Sequence, residues 1–322
     1  MKVKLTIILT VYNKELYLRR SFEALLLQDG ALENDYEILV VNDGSTDNSD
    51  LIIDEFARKD SRIRVLTQDN QGLSMARNNG VKLARGEYVW FVDADDTFSR
   101  NAVNSICKEI NHTPDVIPIY ARTDGFEGVR NQIPCTVNSG KEVLLSKQWQ
   151  QCGVFWIIRR SFLIDNSLSF IPDIYHEDAE FTPRMLYAAK TVRVIPEVLY
   201  IVYRDPSSIT QVPRPKRAFD YLTVSEKLSH FVVSNKEEGT QIGNAIDIYT
   251  ALDINNAFFV ICQNSEEQQE KFNACFYEKR KALLRVLQSA PHLKYHIEGI
   301  LFRLFPKRYV SIYKLLKFFD RQ

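Results

Sequence analysis

The first part of the chain alternates short apolar runs with segments of helical periodicity. The apolar runs predict strands, and they are Leu5–Leu9, Glu37–Val41, Ile63–Leu66 and Tyr88–Val92. The first two are continuous and rich in β-branched residues, as expected of strands buried on both faces of a parallel sheet.

Three helices are predicted between these strands from the 3.6-residue spacing of their apolar positions. The first includes Leu16 and Phe22, the second follows a cap at Asp47 or Ser49, and the third runs over residues 73–84. Strand, helix and strand in this order predict right-handed crossovers and an open α/β sheet, mostly parallel and flanked by helices.

The rhythm changes twice further along the chain. Strand signals become shorter and less regular between Val116 and Tyr203, and prolines then cluster at positions 206, 213 and 215. Mostly helical periodicity follows. We therefore predict an α/β domain over residues 1–213 and a helical C-terminal region over residues 214–322, with the proline cluster at the boundary.

Composition narrows the class of protein. The chain has 322 residues, of which 45% are hydrophobic, and 41 basic side chains balance 41 acidic ones, so we expect no nucleic-acid partner. Its five cysteines lack metal-ligand or Cys-x-x-Cys spacing, which favours a reduced environment. Neither a signal-peptide core nor an apolar run of about 20 residues is present, so the expected location is cytoplasmic.

Polar residues follow the first, second and fourth predicted strands. They are Thr10-Val11-Tyr12-Asn13, Asn42-Asp43-Gly44-Ser45 and Asp93-Ala94-Asp95-Asp96. Open α/β sheets bind ligands beyond the carboxyl ends of their strands. Crowded carboxylates suit Mg²⁺ or Mn²⁺, which also take phosphate oxygens from a substrate. The alternative is that the third group only caps a helix beginning near Ser99.

A phosphate would need other partners than a glycine-rich loop. Neither a Gly-x-x-x-x-Gly-Lys loop nor Gly-x-Gly-x-x-Gly after the first strand is present. A cation and Arg77 could neutralise a diphosphate instead, whereas the alternative for Arg77 is a solvated helix position.

At these positions the sequence resembles the inverting, GT-A-fold glycosyltransferases of family 2. The resemblance covers roughly the first two thirds of the chain. One departure is Leu9-Thr10, where many members have Val-Pro. The motifs that carry it are Leu5–Asn13, Val40–Asp47, Asn70–Ser74, Ala76-Arg77-Asn78, Gly86–Asp96, His176-Glu177-Asp178, Tyr203-Arg204 and Ser208-Ile209-Thr210.

The resemblance implies roles for the strand-end residues. Thr10, Val11 and Tyr12 would line the nucleobase pocket, and Asp43 would accept a hydrogen bond from the N3–H of uracil, which makes a UDP-sugar the expected donor. Asn70 and Arg77 would complete the contacts to the base and the diphosphate. Asp93 would hold the ribose, and Asp95 would bind Mn²⁺ or Mg²⁺.

Inversion by a single displacement requires a base that deprotonates the acceptor hydroxyl. Asp178 matches the family's base, and Glu177 precedes it. The alternative is that both acids only complement the dipole at the start of a helix. Trp149, Trp156 and Tyr175 could stack on an acceptor sugar or could belong to the core.

The C-terminal segment from Ile300 to Phe319 interleaves aromatic and aliphatic residues with Arg303 and several lysines. This pattern suits a helix lying on an anionic membrane surface, or a helix that docks on the protein itself.

The leading hypothesis is a metal-dependent glycosyltransferase that acts on a glycan or lipid-linked acceptor and contacts the membrane peripherally through its C-terminal helix. One alternative is a sugar-phosphate nucleotidylyltransferase, although its glycine-rich loop is absent. A second alternative is a non-catalytic glycan-binding or scaffold protein on the same fold.

Overall fold

The computed structural model describes residues 3–32, 35–203, 212 and 214–319, and these form two compact units. The α/β unit comprises Met1–Asp173 and Phe181–Asp205, and the helical unit comprises Ile174–Glu180 and Pro206–Gln322. The short segment Ile174–Glu180, which lies inside the predicted first domain, thus segregates with the helices of the C-terminal region.

Within the described residues of the α/β unit, nine strands form a sheet in the order β3-β2-β1-β4-β8-β6-β9-β5, with β7 pairing to β6. Strands β3, β2, β1 and β4 run parallel, and β6 pairs parallel with β9, whereas β8 joins the two groups in antiparallel fashion. The strands are β1 (Leu5–Val11), β2 (Tyr36–Asn42), β3 (Ile63–Thr67), β4 (Tyr88–Asp93), β5 (Thr97–Phe98), β6 (Val116–Thr123), β7 (Val129–Arg130), β8 (Trp156–Arg159) and β9 (Ile195–Val202).

Helices alternate with the strands from β1 to β4, and further helices lie between the later strands. They are α1 (Leu18–Leu26), α2 (Ser49–Lys59), α3 (Leu73–Leu83), α4 (Ala102–Ile110), α5 (Gly140–Ser146), α6 (Arg160–Asp165) and α7 (Glu177–Ala188), whose first turn belongs to the helical unit. The four predicted strands and three predicted helices are all present, so the predicted α/β class with a helical C-terminal region is confirmed.

The register of the first helix differs from its prediction. Leu16 precedes α1 and is exposed, while the buried face of the helix is built from Leu18, Phe22 and Leu25. These three positions keep the spacing of an amphipathic helix. Phe22 stacks on Phe56 of α2 with ring centroids 4.6 Å apart, and this contact fixes which face turns inward.

Strands β1, β2 and β4 supply the centre of the core. Every residue of β1 and β2 is buried, as predicted for strands covered on both faces. One charged side chain lies among them: Glu37 of β2 accepts hydrogen bonds from Thr6 Oγ1, from the Arg85 N–H and from Arg64. Thr6 Oγ1 in turn accepts the Gly86 N–H, so the network ties four chain segments together: β1, β2, β3 and the chain that enters β4.

The helical unit has its own core of aromatic and aliphatic side chains, centred on Phe258, Phe276 and Phe302. Its helices after the proline cluster are α8 (Pro215–Ser234), α9 (Gln241–Ile261), α10 (Glu266–Ser289), α11 (Leu293–Leu304) and α12 (Tyr309–Phe319). Among the residues described, no helix combines the length and apolarity that crossing a bilayer requires.

Candidate active site

The parallel register of β1, β2 and β4 aligns their carboxyl ends. Thr10 lies between Val41 and Asp93, and Val11 lies opposite Asn42. Because the three strands end at one edge of the sheet, the polar residues that follow them meet there. The Asp43 N–H donates to the Val11 carbonyl over 2.9 Å, which continues this alignment beyond the strands.

The loops after β1 and β2 bind each other. Asn13 has a left-handed backbone (φ 52°), its side-chain oxygen accepts the Thr46 N–H at 2.7 Å, and its own N–H donates to Ser45 Oγ. Asparagine tolerates this conformation better than most residues. Tyr12 is left half-exposed beside the strand ends.

Gly44 permits close approach of a third loop. Its φ is 72°, and a Cβ there would lie 2.8 Å from the backbone nitrogen of Asn70. A larger residue would therefore be strained and would separate the loop after β2 from the exposed Asn70.

Asp43 is buried and organises the start of α3. Its carboxylate accepts hydrogen bonds from Gln68 Nε2 at 2.7 Å, from the Gln71 N–H at 2.9 Å and from the Gly72 N–H at 2.8 Å. A carboxylate has about four acceptor positions, so one remains after these three contacts. Asp43 thus has a structural task in addition to any contact with a base.

Arg77 is 3% exposed, so the alternative that it is a solvated helix residue is wrong. Its guanidinium donates to Asp93 Oδ1 at 3.2 Å and lies 5.3 Å from the Phe170 ring centroid. The Arg77 guanidinium is thus fixed against an aromatic ring, and its hydrogen bond holds the Asp93 carboxylate in one orientation. Asp93 also donates its N–H to the Tyr200 hydroxyl.

Two basic residues hold Asp95. The Lys14 ammonium lies 2.5 Å from Asp95 Oδ2, and Arg20 donates to the Asp95 carbonyl. The Arg20 guanidinium stacks 3.6 Å from the centroid of the Tyr203 ring. Neither Lys14 nor Arg20 was predicted from the sequence, although Lys14 directly follows the Tyr12-Asn13 motif and could have been found from that position.

The capping interpretation of the Asp93–Asp96 group is wrong. Helix α4 begins at Ala102 with Asn101 as its N-cap, and β5 intervenes. Asp96 instead accepts the Tyr203 N–H at 2.8 Å and a hydrogen bond from the Tyr200 hydroxyl. Burial, followed by the charges of Asp93 and Asp95, raises the pKa of Asp96 to about 8.

The donor set at this edge fits a hard divalent cation that also binds substrate. Asp93 and Asp95 offer carboxylate oxygens, of which Asp95 Oδ2 is paired with the Lys14 ammonium, so a cation would have to displace Lys14 there or bind the other oxygens. Over the described ranges, no cluster of three or more histidine, cysteine or acidic side chains could bind an ion by itself. Phosphate oxygens of a bound ligand would therefore have to complete the coordination.

Glu177 and Asp178 open helix α7 in the segment that belongs to the helical unit. Glu177 is buried and Asp178 is partly exposed. The preceding residue, His176, has a left-handed backbone (φ 63°), and its ring stacks on Tyr221 of α8 with centroids 3.7 Å apart and planes 12° apart. Tyr175 donates its N–H to Asp220 of the same helix at 2.9 Å.

This segment is thus attached to α8 by both backbone and side chain. Asp178 is also close enough to influence the Tyr221 hydroxyl. Burial raises the pKa of that hydroxyl most, and the negative charges of Asp253 and Asp178 raise it further. His176 belongs to a motif already visible in the sequence, but its partners Asp220 and Tyr221 were not predicted, because nothing local in the sequence relates position 176 to position 221.

The predicted site residues of the α/β unit come together at one sheet edge; they are Thr10, Val11, Tyr12, Asp43, Asn70, Arg77, Asp93 and Asp95. Glu177 and Asp178 lie in the helical unit. Trp149 and Trp156 are buried in the α/β core, which supports the packing interpretation rather than an acceptor surface. Arg204 and the motif at 208–210 lie outside the described residues.

Comparison with known proteins identifies the family. The profile of Glycosyl transferase family 2 matches residues 6–166. Two relatives come from Bacillus subtilis (strain 168). The putative glycosyltransferase EpsH is 32% identical over 72% of this chain and 70% of its own length. The uncharacterized glycosyltransferase EpsJ is 31% identical over 65% of this chain. The chain spans 63% of the length of EpsJ.

A solved structure extends the similarity to almost the whole chain. Residues 1–349 of S. aureus TarS, crystallised with UDP-GlcNAc, align with a TM-score of 0.77 at 20% identity, covering 98% of this chain and 92% of TarS 1–349. This alignment confirms the expected GT-A fold with its helical extension. The profile match and the relatives together show that the chain belongs to glycosyl transferase family 2.

Proposed function

We propose that this chain transfers a sugar from a UDP-sugar to a glycan or lipid-linked acceptor, with inversion and with the help of a divalent cation. The observation that carries the proposal is the meeting of Thr10, Asp43, Asp93 and Asp95 at the carboxyl edge of three parallel strands. Ligands of open α/β sheets bind at this edge.

The base would bind between the loops that follow β1 and β2. Tyr12 is half-exposed and offers a ring face, while Asp43 keeps one acceptor position beyond its three internal hydrogen bonds. An acceptor at that point complements the N3–H of uracil. The TarS crystal structure with UDP-GlcNAc supports this choice of donor by analogy of fold.

The ribose and diphosphate would lie along Asp93 and Asp95. Arg77 keeps the Asp93 carboxylate oriented, so that its second oxygen remains available to a ribose hydroxyl. Lys14, paired with Asp95, places a positive charge beside the expected diphosphate. A bound Mg²⁺ or Mn²⁺ would stabilise the negative charge that develops on the departing nucleotide diphosphate.

Deprotonation of the acceptor hydroxyl is assigned to Asp178. Its side chain is partly exposed, whereas that of Glu177 is buried, so Asp178 is the more accessible of the two acids. The stack of His176 on Tyr221 and the bond from Tyr175 to Asp220 fix the turn that carries it. A positioned base typically contributes about 10²–10⁴-fold to the rate.

Thermal unfolding with UDP-, GDP- and dTDP-sugars, each with and without Mn²⁺, tests the donor and metal assignments. We expect stabilisation by a UDP-sugar that increases with Mn²⁺, because a ligand that binds only the folded state raises its stability. Asp95→Asn should remove the Mn²⁺-dependent part. Asp29→Asn, at an exposed position in the same unit, is the matched control and should behave as wild type.

Two results would contradict parts of the proposal. Stabilisation by UDP-sugar that neither Mn²⁺ nor Asp95→Asn changes would refute the metal assignment. The absence of a shift with any nucleotide sugar would favour a non-catalytic protein on the same fold, and transfer or hydrolysis of the donor would then also be absent.

A further inference from the structure

Helix α11 carries an apolar stripe on its exposed face. The stripe consists of Leu293 (73% exposed), Ile297 (43%), Ile300 (54%) and Leu304 (64%). At about 100° per residue these positions fall within an arc of about 60° on the helix surface. Four large aliphatic side chains in one exposed row differ from the single exposed apolar residues found on most proteins.

The opposite face of α11 already packs on the helical unit. Glu298, Gly299 and Phe302 are buried there, and Glu298 accepts a hydrogen bond from Asn255 of α9. The stripe is therefore an additional apolar face, because the contacts that hold α11 in the unit use other residues. Exposed Phe305 follows the stripe at the end of the helix.

The chain segment that carries the stripe is predominantly basic. The segment Leu293–Lys317 contains six basic residues and a single acid, the buried Glu298, although the whole chain is neutral. At about 100° per residue, exposed Lys294 and Arg303 lie about 80–100° to either side of the stripe. The basic residues are Lys294, Arg303, Lys307, Arg308, Lys314 and Lys317.

We propose that the α11 stripe lies in the surface of an anionic lipid bilayer, with Leu293, Ile297, Ile300 and Leu304 among the acyl chains and the flanking basic residues on the headgroup phosphates. A helix with an apolar row between cations is the form that binds such surfaces. Lysine and arginine side chains near an anionic surface add electrostatic attraction. This inference does not depend on the proposed sugar transfer.

The structure assigns this surface to α11 alone, although the apolar and basic pattern in the sequence extends through α12. Tyr309, Val310 and Tyr313 of α12 are buried in the core of the helical unit, so that helix docks on the protein. A second copy of the chain is a less suitable occupant of the stripe. Pairing two stripes would bring Lys294 and Arg303 of both copies together without acidic partners.

Co-sedimentation of the full chain with vesicles tests the proposal. We expect binding to phosphatidylcholine vesicles that contain about 30% phosphatidylglycerol, little binding to pure phosphatidylcholine, and weakening at high salt. The double variant Ile297→Ser/Ile300→Ser should reduce the bound fraction at least about tenfold, since it removes half of the stripe. Lys294→Glu/Arg303→Glu should weaken binding and reduce its salt dependence, since it reverses the two charges that flank the stripe.

The control is Leu252→Ser, which changes a similarly exposed leucine on α9. It should bind vesicles as wild type does. Three results would overturn the proposal: no binding to anionic vesicles at low salt, equal binding of Ile297→Ser/Ile300→Ser and wild type, or equal binding to neutral and anionic vesicles. Sedimentation velocity of the same variants shows whether the stripe instead joins two copies.

Discussion

His176 combines a strained backbone with a partly buried ring. Its φ of 63° is uncommon outside glycine, although histidine is among the residues that adopt it most often. The ring is held by its stack on Tyr221. Burial, and then the charge of Arg217, lower the pKa of His176 to about 3, so the folded protein holds a neutral imidazole here.

This depressed pKa predicts a pH dependence of stability. Histidine in the unfolded chain has a pKa near 6.5. The contribution of neutral His176 to the free energy of unfolding is therefore complete above pH 6.5 and is lost as the pH falls toward 3. The loss should reach roughly 2 kcal/mol at pH 5. His176→Phe keeps a ring and removes the titration, so unfolding measured from pH 7 to pH 5 should become flatter.

The slope with pH is the informative quantity, because phenylalanine at a left-handed position also lowers stability at every pH. His230→Gln alters an exposed histidine on α8 and serves as the control. If His176→Phe and wild type lose stability in parallel between pH 7 and pH 5, the folded protein does not hold His176 neutral.

At the scale of elements, the parallel strands are held in register by more than their backbone ladder. Glu37 connects β2 to Thr6 of β1, to Arg64 of β3 and to the chain that enters β4. The same ladder aligns the strand ends that form the candidate site. A polar network inside a strand core is stabilising only while all its members are paired.

Glu37→Ala is therefore expected to lower the free energy of unfolding by about 2–4 kcal/mol, because it leaves Thr6 Oγ1 and the Arg85 N–H without their acceptor and removes the carboxylate partner of Arg64. Denaturant unfolding of the full chain measures this change. Glu55→Ala is the control: it removes exposed ion pairs to Arg19 and Lys59 on the surface of α2 and should have little effect. Equal effects of the two variants would contradict the role of the network.

Across the whole molecule, the predicted residues divide between the two units. The residues proposed to bind the nucleotide sugar belong to the α/β unit, whereas Asp178 begins a helix inside the segment of the helical unit. Binding of the donor and deprotonation of the acceptor can therefore be separated by mutation.

Asp178→Asn should lower the rate of transfer about 10²-fold or more and leave the affinity for the UDP-sugar within a few-fold of wild type. Turnover assays and isothermal titration measure the two quantities. Asp165→Asn, at the last residue of α6, is a control that should preserve both. Near-normal turnover of Asp178→Asn would show that another group is the base, without affecting the donor assignment.

Local periodicity was sufficient to predict every strand from β1 to β4 and the helices between them, because apolar spacing reports which side of an element is covered. It also located the polar strand ends, since the positions of Asp43 and Asp93 in the chain follow directly from where the strands stop. Helix starts were less accurate: Leu16 extended the apolar pattern beyond α1, and the N-cap of α2 is Asn48 rather than Asp47 or Ser49.

Tertiary structure alone decided the partners of those residues. Lys14 meets Asp95 across 81 positions of the chain, Arg77 is buried against Asp93, and His176 stacks on a helix that begins at residue 215. Such contacts depend on how whole elements pack, and no local pattern encodes them. For the same reason the sequence could identify an apolar, basic C-terminus, while the folded unit determined that α12 is covered and that α11 exposes its stripe.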